Sequence, residues 1–173
     1  MNRAQFDHAI RAAAAVAGVR ELIVIGSQAA HASIENDLPD AALRSVEADI
    51  VIPNDQNGTQ ADLVDGSIGE ASMFHESFGF YAQGVSIESA VLAKGWEKRL
   101  IRYETPATDG VIAWCLSLED LFVSKAIAGR EKDLEFCQSV IGLINVDLTI
   151  ELLNTLEAPA AKKKLALGLL PLG

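Results

Sequence analysis

Three short stretches of the chain hold residues whose types and spacing suit phosphate chemistry. The first is Gly26-Ser27, which follows the β-branched run Arg20–Ile25 and precedes a segment of helical composition, Gln28–Ile34. A glycine at such a junction lets backbone approach a ligand closely, and the free N–H groups of a helix start, with the serine hydroxyl, can hold a phosphate. The same pair also reads as an ordinary N-cap turn, with Ser27 as the cap. The second stretch is Glu47-Ala48-Asp49 within the run Val46–Ile52. Residues i and i+2 of a strand share a face, so two carboxylates there repel each other and lose hydration unless a cation or hydrogen bonds compensate. Such a pair suits Mg²⁺, which takes one or two carboxylates and completes its shell with water and substrate phosphates. The bland reading leaves Glu47 in solvent and Asp49 as a lone capped group. The third stretch is 119–136, in which eight of eighteen residues are charged. Lys125 falls among apolar neighbours and requires an anionic partner or must snorkel. Gly129 precedes Arg130-Glu131-Lys132-Asp133, and a kink or break there would aim that cluster inward. Otherwise the run is a solvated helix face.

The elements that must position these residues follow from periodicity. Phe6, Ile10, Ala13 and Val16/Ala17 predict a helix over 2–17 that stops at Gly18. Arg20–Ile25 and Val46–Ile52 predict strands, the second ended by Pro53 and the turn-rich Asn54–Gly58, with a loop at 35–44 between them. A helix is expected near 59–67, strand-like segments at Phe74–Val85 and Lys98–Glu104, and a strand at Val111–Leu116. From Ser117 the apolar spacing becomes helical, with Ser117 and Asp120 as a capping signature. Asp147 is expected to cap a further helix through Leu156, and Pro159 to sit in the first turn of a last one. The fold class is therefore α/β (α+β): a small mixed sheet flanked by helices over 1–116, followed by a helical section, 117–173, packed on the same domain.

Composition sets the boundary conditions. The 173 residues hold 14 Lys+Arg and 24 Asp+Glu, a formal net charge of −10, and half are hydrophobic. That apolar content excludes a disordered acidic chain. The acidity excludes a broad nucleic-acid surface, which needs clustered Lys and Arg, but leaves room for a local basic pocket. The N-terminal stretch lacks the continuous apolar segment of a secretory signal, and no apolar run approaches the roughly 20 residues that span a bilayer. Cys115 and Cys137 stand apart in apolar surroundings and read as buried thiols of a reducing cytoplasm. A cytoplasmic protein with no membrane partner is expected.

Taken together, Val24-Ile25-Gly26-Ser27, then Glu47-Ala48-Asp49-Ile50-Val51, and then Asp120–Lys125 with Arg130–Asp133 resemble the nucleotidyltransferase superfamily of the minimal bacterial type. The downstream stretch looks like the later motifs of its abortive-infection toxin branch. The chain is more similar still to uncharacterised bacterial nucleotidyltransferase-like proteins, through Gly69–Tyr81 and Gly95–Arg99 as well, so the resemblance covers about residues 20–140. It implies transfer of a nucleotide from a nucleoside triphosphate to a hydroxyl on an RNA, a protein or a small molecule, with Mg²⁺ or Mn²⁺ as cofactor and an antitoxin as one possible partner. Carried over, Gly26 and Ser27 contact the triphosphate, Glu47 and Asp49 ligate metal, and Asp49, Lys125 and Asp133 are the catalytic residues. Lys125, Arg130 and Lys132 neutralise phosphate, and Asp133 orients one of those cations or the acceptor.

The pattern departs from the family in three places. Glu47 stands where the family usually has Asp, nineteen residues separate Ser27 from Glu47, and a third carboxylate is represented only by Glu76 and Glu104 as candidates by type. His75-Glu76 could line the pocket, although a histidine between Phe74 and Phe78 reads equally as a hydrogen-bonded wall residue. Trp96 reads as core or as a turn anchor. The rival function is a catalytically inactive nucleotidyltransferase-fold module that binds a nucleotide or a protein; a structural domain that dimerises through its charged helix is the third.

Overall fold

A computed structural model describes residues 1–171. Its centre is a five-stranded mixed sheet built from β1 (Glu21–Val24), β2 (Glu47–Val51), β3 (Tyr81–Gly84), β4 (Ile101–Tyr103) and β5 (Ile112–Cys115). The spatial order is β3-β2-β1-β5-β4. β1 runs antiparallel to β2 and parallel to β5, β3 runs parallel to β2, and β4 antiparallel to β5. The sheet has one thoroughly apolar side. Leu22 and Val24, Ala48 and Ile50, Ala82, and Ala113 and Cys115 alternate with more exposed residues and are fully buried. Period-2 burial of this kind turns every intervening residue, Asp49 and Glu47 included, to the opposite face.

Helix α1 (Arg3–Ala17) buries Phe6, Ile10, Ala13 and Ala14 and packs on β1, β2, β3 and α3 (Thr59–Ile68). Its ends are sharply defined. Asn2 forms a capping box with Gln5, and Gly18 closes the helix in the left-handed conformation. After β5, Ser117 caps α5 (Leu118–Ala128) by accepting from the Asp120 N–H. Gly129, at φ +70°, terminates α5, and α6 (Glu131–Val140) begins at once. Of the kink or break expected there, the chain makes a full break between two packed helices, which a residue with a Cβ would resist at that φ. α7 (Val146–Thr155) and α8 (Ala160–Leu167) pack against α5. One contiguous core cluster runs from Met1 to Leu170. Both cysteines are buried free thiols within it. No described helix is long and apolar enough to cross a membrane.

Several expectations are corrected. The helix at 28–34 is a 3-10 helix, Ser27–Ala32, and Gly26 rather than Ser27 is its N-cap residue. Its tight winding buries Gln28, whose side-chain amide donates to the Ala42 carbonyl at 2.8 Å. That bond ties it to α2 (Asp40–Leu43), a short helix inside the expected 35–44 loop. The strand-like segment 74–85 divides into α4 (Met73–Phe78) and β3. Ser72 caps α4, Gly79 ends it, and Phe74 and Phe78, one turn apart, meet His8 edge to face. Aromatic residues with strong strand preference there follow a helical interval, and packing overrides their intrinsic bias. The segment 98–104 likewise opens with a 3-10 turn, Trp96–Arg99, before β4. Asn145, not Asp147, caps α7, and Pro159 is the residue before α8 rather than part of its first turn.

Candidate active site

β2 places Glu47 and Asp49 side by side on the face of the sheet turned away from α1. Both are partly exposed, while Ala48 between them is fully buried. Opposite Asp49, at the end of β1, is Gly26. A Cβ at Gly26 would fall 1.7 Å from the Asp49 Oδ2 atom, so the carboxylate lies directly over the glycine Cα. The Ile25 N–H donates to the Asp49 carbonyl at 3.2 Å and holds the two segments in this contact. The Gly-Ser pair and the acid pair therefore form one structural unit, which explains the glycine without reference to its conformational freedom.

The helices after β5 complete the cleft. Ser27, Ser45, Glu47, Asp49, Lys125, Arg130 and Lys132 line a cavity of about 170 Å³, with Ala41 and Phe136 as its apolar wall. Lys125 lies over the Phe136 ring, 5.1 Å from its centroid, and donates to Asp133 Oδ1 at 3.1 Å. Arg130 Nε donates to Asp133 Oδ2 at 2.6 Å. Asp133 is fully buried. Burial acts to raise its pKa, but the Arg130 hydrogen bond and the Lys125 charge outweigh it and hold the carboxyl below its ordinary range. Lys132 is exposed and has no ion pair among the described residues. Asp133 therefore acts as the hub that holds Lys125 and Arg130 at the mouth of the cleft. Asp133→Asn should leave the part-buried Lys125 without its anion and cost about 2 kcal/mol of stability. Because the Asp133 pKa is depressed, the stability it supplies is present above the unfolded-state value and is lost as pH falls through the folded one. Denaturant unfolding of the pair at pH 7 and at pH 3 should show the difference between wild type and variant shrinking at the acid end.

Asp49 is displaced in the other direction. Burial, reinforced by the Glu47 charge and opposed by Lys125 and Lys132, pushes its pKa up to about 6. Two carboxylates and three cations thus line the cleft, and Asp133 behind the cations brings the formal charges into balance. A polyphosphate entering it would meet two carboxylates already in mutual repulsion. An added divalent cation relieves both problems, so the donor set fits Mg²⁺ or Mn²⁺ held by Glu47 and Asp49 and completed by phosphate oxygens and water. A closed protein cage is a different matter: no group of three or more His, Cys, Asp or Glu able to hold a metal occurs among the described residues.

Of the residues singled out by type and spacing, Ser27, Glu47, Asp49, Lys125, Arg130 and Lys132 converge on this cavity, Gly26 abuts Asp49, and Asp133 lies behind the cations. Glu76 and Glu104 do not join them: Glu76 is an exposed residue of α4, and Glu104 pairs with Arg102. His75 accepts from the Ala71 N–H through Nδ1 at 3.1 Å and lies tilted against the Tyr81 ring, as a wall residue does. Ser45, Ala41 and Phe136 line the cleft without having been singled out, and Gln83 of β3 stands in register beside Asp49. Ser45 could have been found two residues before Glu47. Gln83 could not, because its position depends on which strand pairs with β2.

A mixed sheet with an acid pair on one strand, over a Gly-Ser turn at the end of its antiparallel neighbour, is the arrangement of a nucleotidyltransferase-type domain. Comparison with protein-family profiles matches residues 5–165 to the family described as nucleotidyltransferase of unknown function (DUF6036). The chain belongs to that family. No curated protein and no solved structure gives a significant match.

Proposed function

We propose that the protein is a metal-dependent nucleotidyltransferase that moves a nucleotide from a nucleoside triphosphate to a hydroxyl acceptor. The observation that carries this reading is the convergence of Ser27, the Glu47–Asp49 pair and Lys125, Arg130 and Lys132 on one small cleft. In the reaction, the acceptor oxygen forms a bond to the α-phosphorus as the bond from that phosphorus to the bridging oxygen breaks. Pyrophosphate leaves with the electron pair, and the hydroxyl proton passes to the Asp49 carboxylate. Such chemistry needs alignment and charge neutralisation more than covalent catalysis. A divalent cation, held by Glu47 and Asp49, supplies charge neutralisation at the phosphates when bound. Ser27 and the backbone after Gly26 orient the phosphates, Lys132 meets their charge directly, and Lys125 and Arg130 do so while Asp133 keeps them in place. A toxin setting, with an antitoxin partner, draws its support from the resemblance of the downstream motif to abortive-infection nucleotidyltransferases.

Titration with each of the four ribonucleoside triphosphates, with and without Mg²⁺ or Mn²⁺, tests the site. Binding should be tight only with the cation and should be lost in Asp49→Ala. Label should move from the α-³²P triphosphate, and not from the γ-³²P form, to an acceptor. Binding indifferent to the cation overturns the proposal. Metal-linked binding with no transfer of α-label to any added RNA, protein or small hydroxyl compound would instead support the inactive nucleotide-binding module.

A further inference from the structure

The face that carries Glu47 and Asp49 continues past the cation-bearing cleft. Val51 is two residues further along β2, projects from the same face about 7 Å away, and pairs with Ile23 of β1. From these two residues a groove of about 540 Å³ opens, with Val85, Ile87 and Trp96 also lining it. Its volume falls within the usual range of about 300–1,000 Å³ for small-molecule sites. Its ionic lining is wholly acidic: Asp55, Asp62 and Glu88, with no Lys, Arg or His among its lining residues.

Two of these features are held firmly. Trp96 opens the 3-10 turn whose Arg99 donates from Nε and Nη2 to the two oxygens of Asp120, both at 2.8 Å. Asp120 is 1% exposed at the start of α5, so a bidentate charged pair fixes the aromatic wall. Asp55 accepts from the Ala61 N–H at 2.8 Å and is partly compensated by the α3 N-terminus. Asp62 and Glu88 remain exposed at the rim.

We propose that this groove receives the acceptor, and that the acceptor is a small hydroxyl compound with an apolar body and an ammonium group. The proposal rests on the nucleotidyltransferase reading of the adjacent cleft. The charge differs in sign on either side of the acid pair: cations line the cleft on one side, and the groove on the other, which wraps round the ends of β2 and β3 to α3, carries only carboxylates. A nucleic-acid acceptor would bring phosphates against Asp62 and Glu88 with no cation to receive them. A neutral nucleobase can stack on Trp96 but gains nothing from the acids. An ammonium group gains from both, through the carboxylates and through the indole face. The apolar body then covers Ile23 and Val51, and the hydroxyl that forms the new bond to the α-phosphorus, releasing pyrophosphate, points back toward Asp49.

Tyramine, which combines a phenolic hydroxyl with an ammonium group, is a direct probe. Titrated into ¹⁵N-labelled full-length protein, it should shift the backbone signals of Ile23 and Val51 and the indole signal of Trp96. N-acetyltyramine, its uncharged counterpart, should bind about three- to tenfold more weakly, and the double variant Asp62→Asn/Glu88→Gln should lose tyramine affinity by a similar factor. Equal binding of the two compounds, or preferential occupation of the groove by adenosine or by a short oligoribonucleotide, overturns the proposal. In parallel, ATP with Mg²⁺ should shift Ser27 and Lys132. If that fails while tyramine occupies the groove, the transferase reading falls and the acceptor role falls with it. If ATP binds and tyramine does not, only the groove assignment is overturned.

Discussion

Asp49→Asn should abolish metal-dependent nucleotidyl transfer, by about 10³-fold or more, and at the same time stabilise the metal-free protein. On the proposed function, the first effect follows from removing one of the two carboxylates assigned to the cation and the group assigned to receive the hydroxyl proton. A loss of about 4 kcal/mol of transition-state stabilisation corresponds to that factor. The second effect follows from the position of the carboxylate, partly buried beside Glu47, with its pKa pushed up to about 6. A group whose folded pKa is raised favours the folded state when protonated. Its contribution is fully present below the unfolded value near 3.8 and is lost as pH rises through about 6. The ionised Asp49 of the apo protein at neutral pH therefore costs stability, about 1–3 kcal/mol on the linkage scale. An isosteric amide avoids that cost. Urea unfolding at pH 4.5 and pH 7.5, without metal, should show the variant gaining over wild type only at the higher pH. Added Mg²⁺ should then raise the stability of wild type and not of the variant. A variant no more stable at pH 7.5 than at pH 4.5, relative to wild type, would mean that Asp49 is compensated in the apo fold.

Gly26→Ala should be nearly as damaging to activity, although the residue carries no functional group. The added methyl would stand 1.7 Å from Asp49 Oδ2 and 2.8 Å from its Cγ. Either the carboxylate swings out of the cleft or the end of β1 moves away from β2. We expect transfer to fall by about 10²-fold, the scale of a misplacement of about 1 Å, and stability to fall by about 1–3 kcal/mol, as for overpacking. The two positions must then be coupled. In the double variant Gly26→Ala/Asp49→Ala only the 3.2 Å approach to the residue-49 Cβ remains, so the double variant should be more stable than Gly26→Ala alone. Thermal unfolding of the four proteins forms the cycle that measures this coupling. Strict additivity would show that the glycine is required for some other reason.

The acid-rimmed groove and the charge-balanced cleft give the net charge of −10 a spatial meaning. The excess of carboxylates is not spread evenly around the reaction face. Cations gather where α5 and α6 meet the start of β2, and acids gather where β2 and β3 end. On the proposed function, a compact polyphosphate sits at one end, whereas an extended nucleic-acid strand would have to cross the other. Lys132, free of any ion pair among the described residues, is the cation with the most to offer an incoming phosphate.

Much of this protein could be read from local sequence. The alternation of Val46–Ile52 required Glu47 and Asp49 to share a face, and β2 places them so. Ser117 and Gly129 marked the two ends of α5, because a serine that can accept from an N–H and a glycine that can take positive φ act within a few residues of themselves. The same short-range logic failed at Phe74–Phe78, where aromatic strand formers wind into α4 around His8. It failed again at 35–44, where a bond from Gln28 helps seat α2. The packing of Asp49 over Gly26, the reach of Lys125 across the α5–α6 break to Asp133, and the register of Gln83 beside Asp49 needed the tertiary structure. So did the groove between Ile23, Val51 and Trp96. The physical reason is range. Capping and side-chain period are decided by neighbours along the chain, whereas strand order and the return of α5 and α6 to β2 are decided by contacts whose residues are tens of positions apart, and only burial in a common core selects among them.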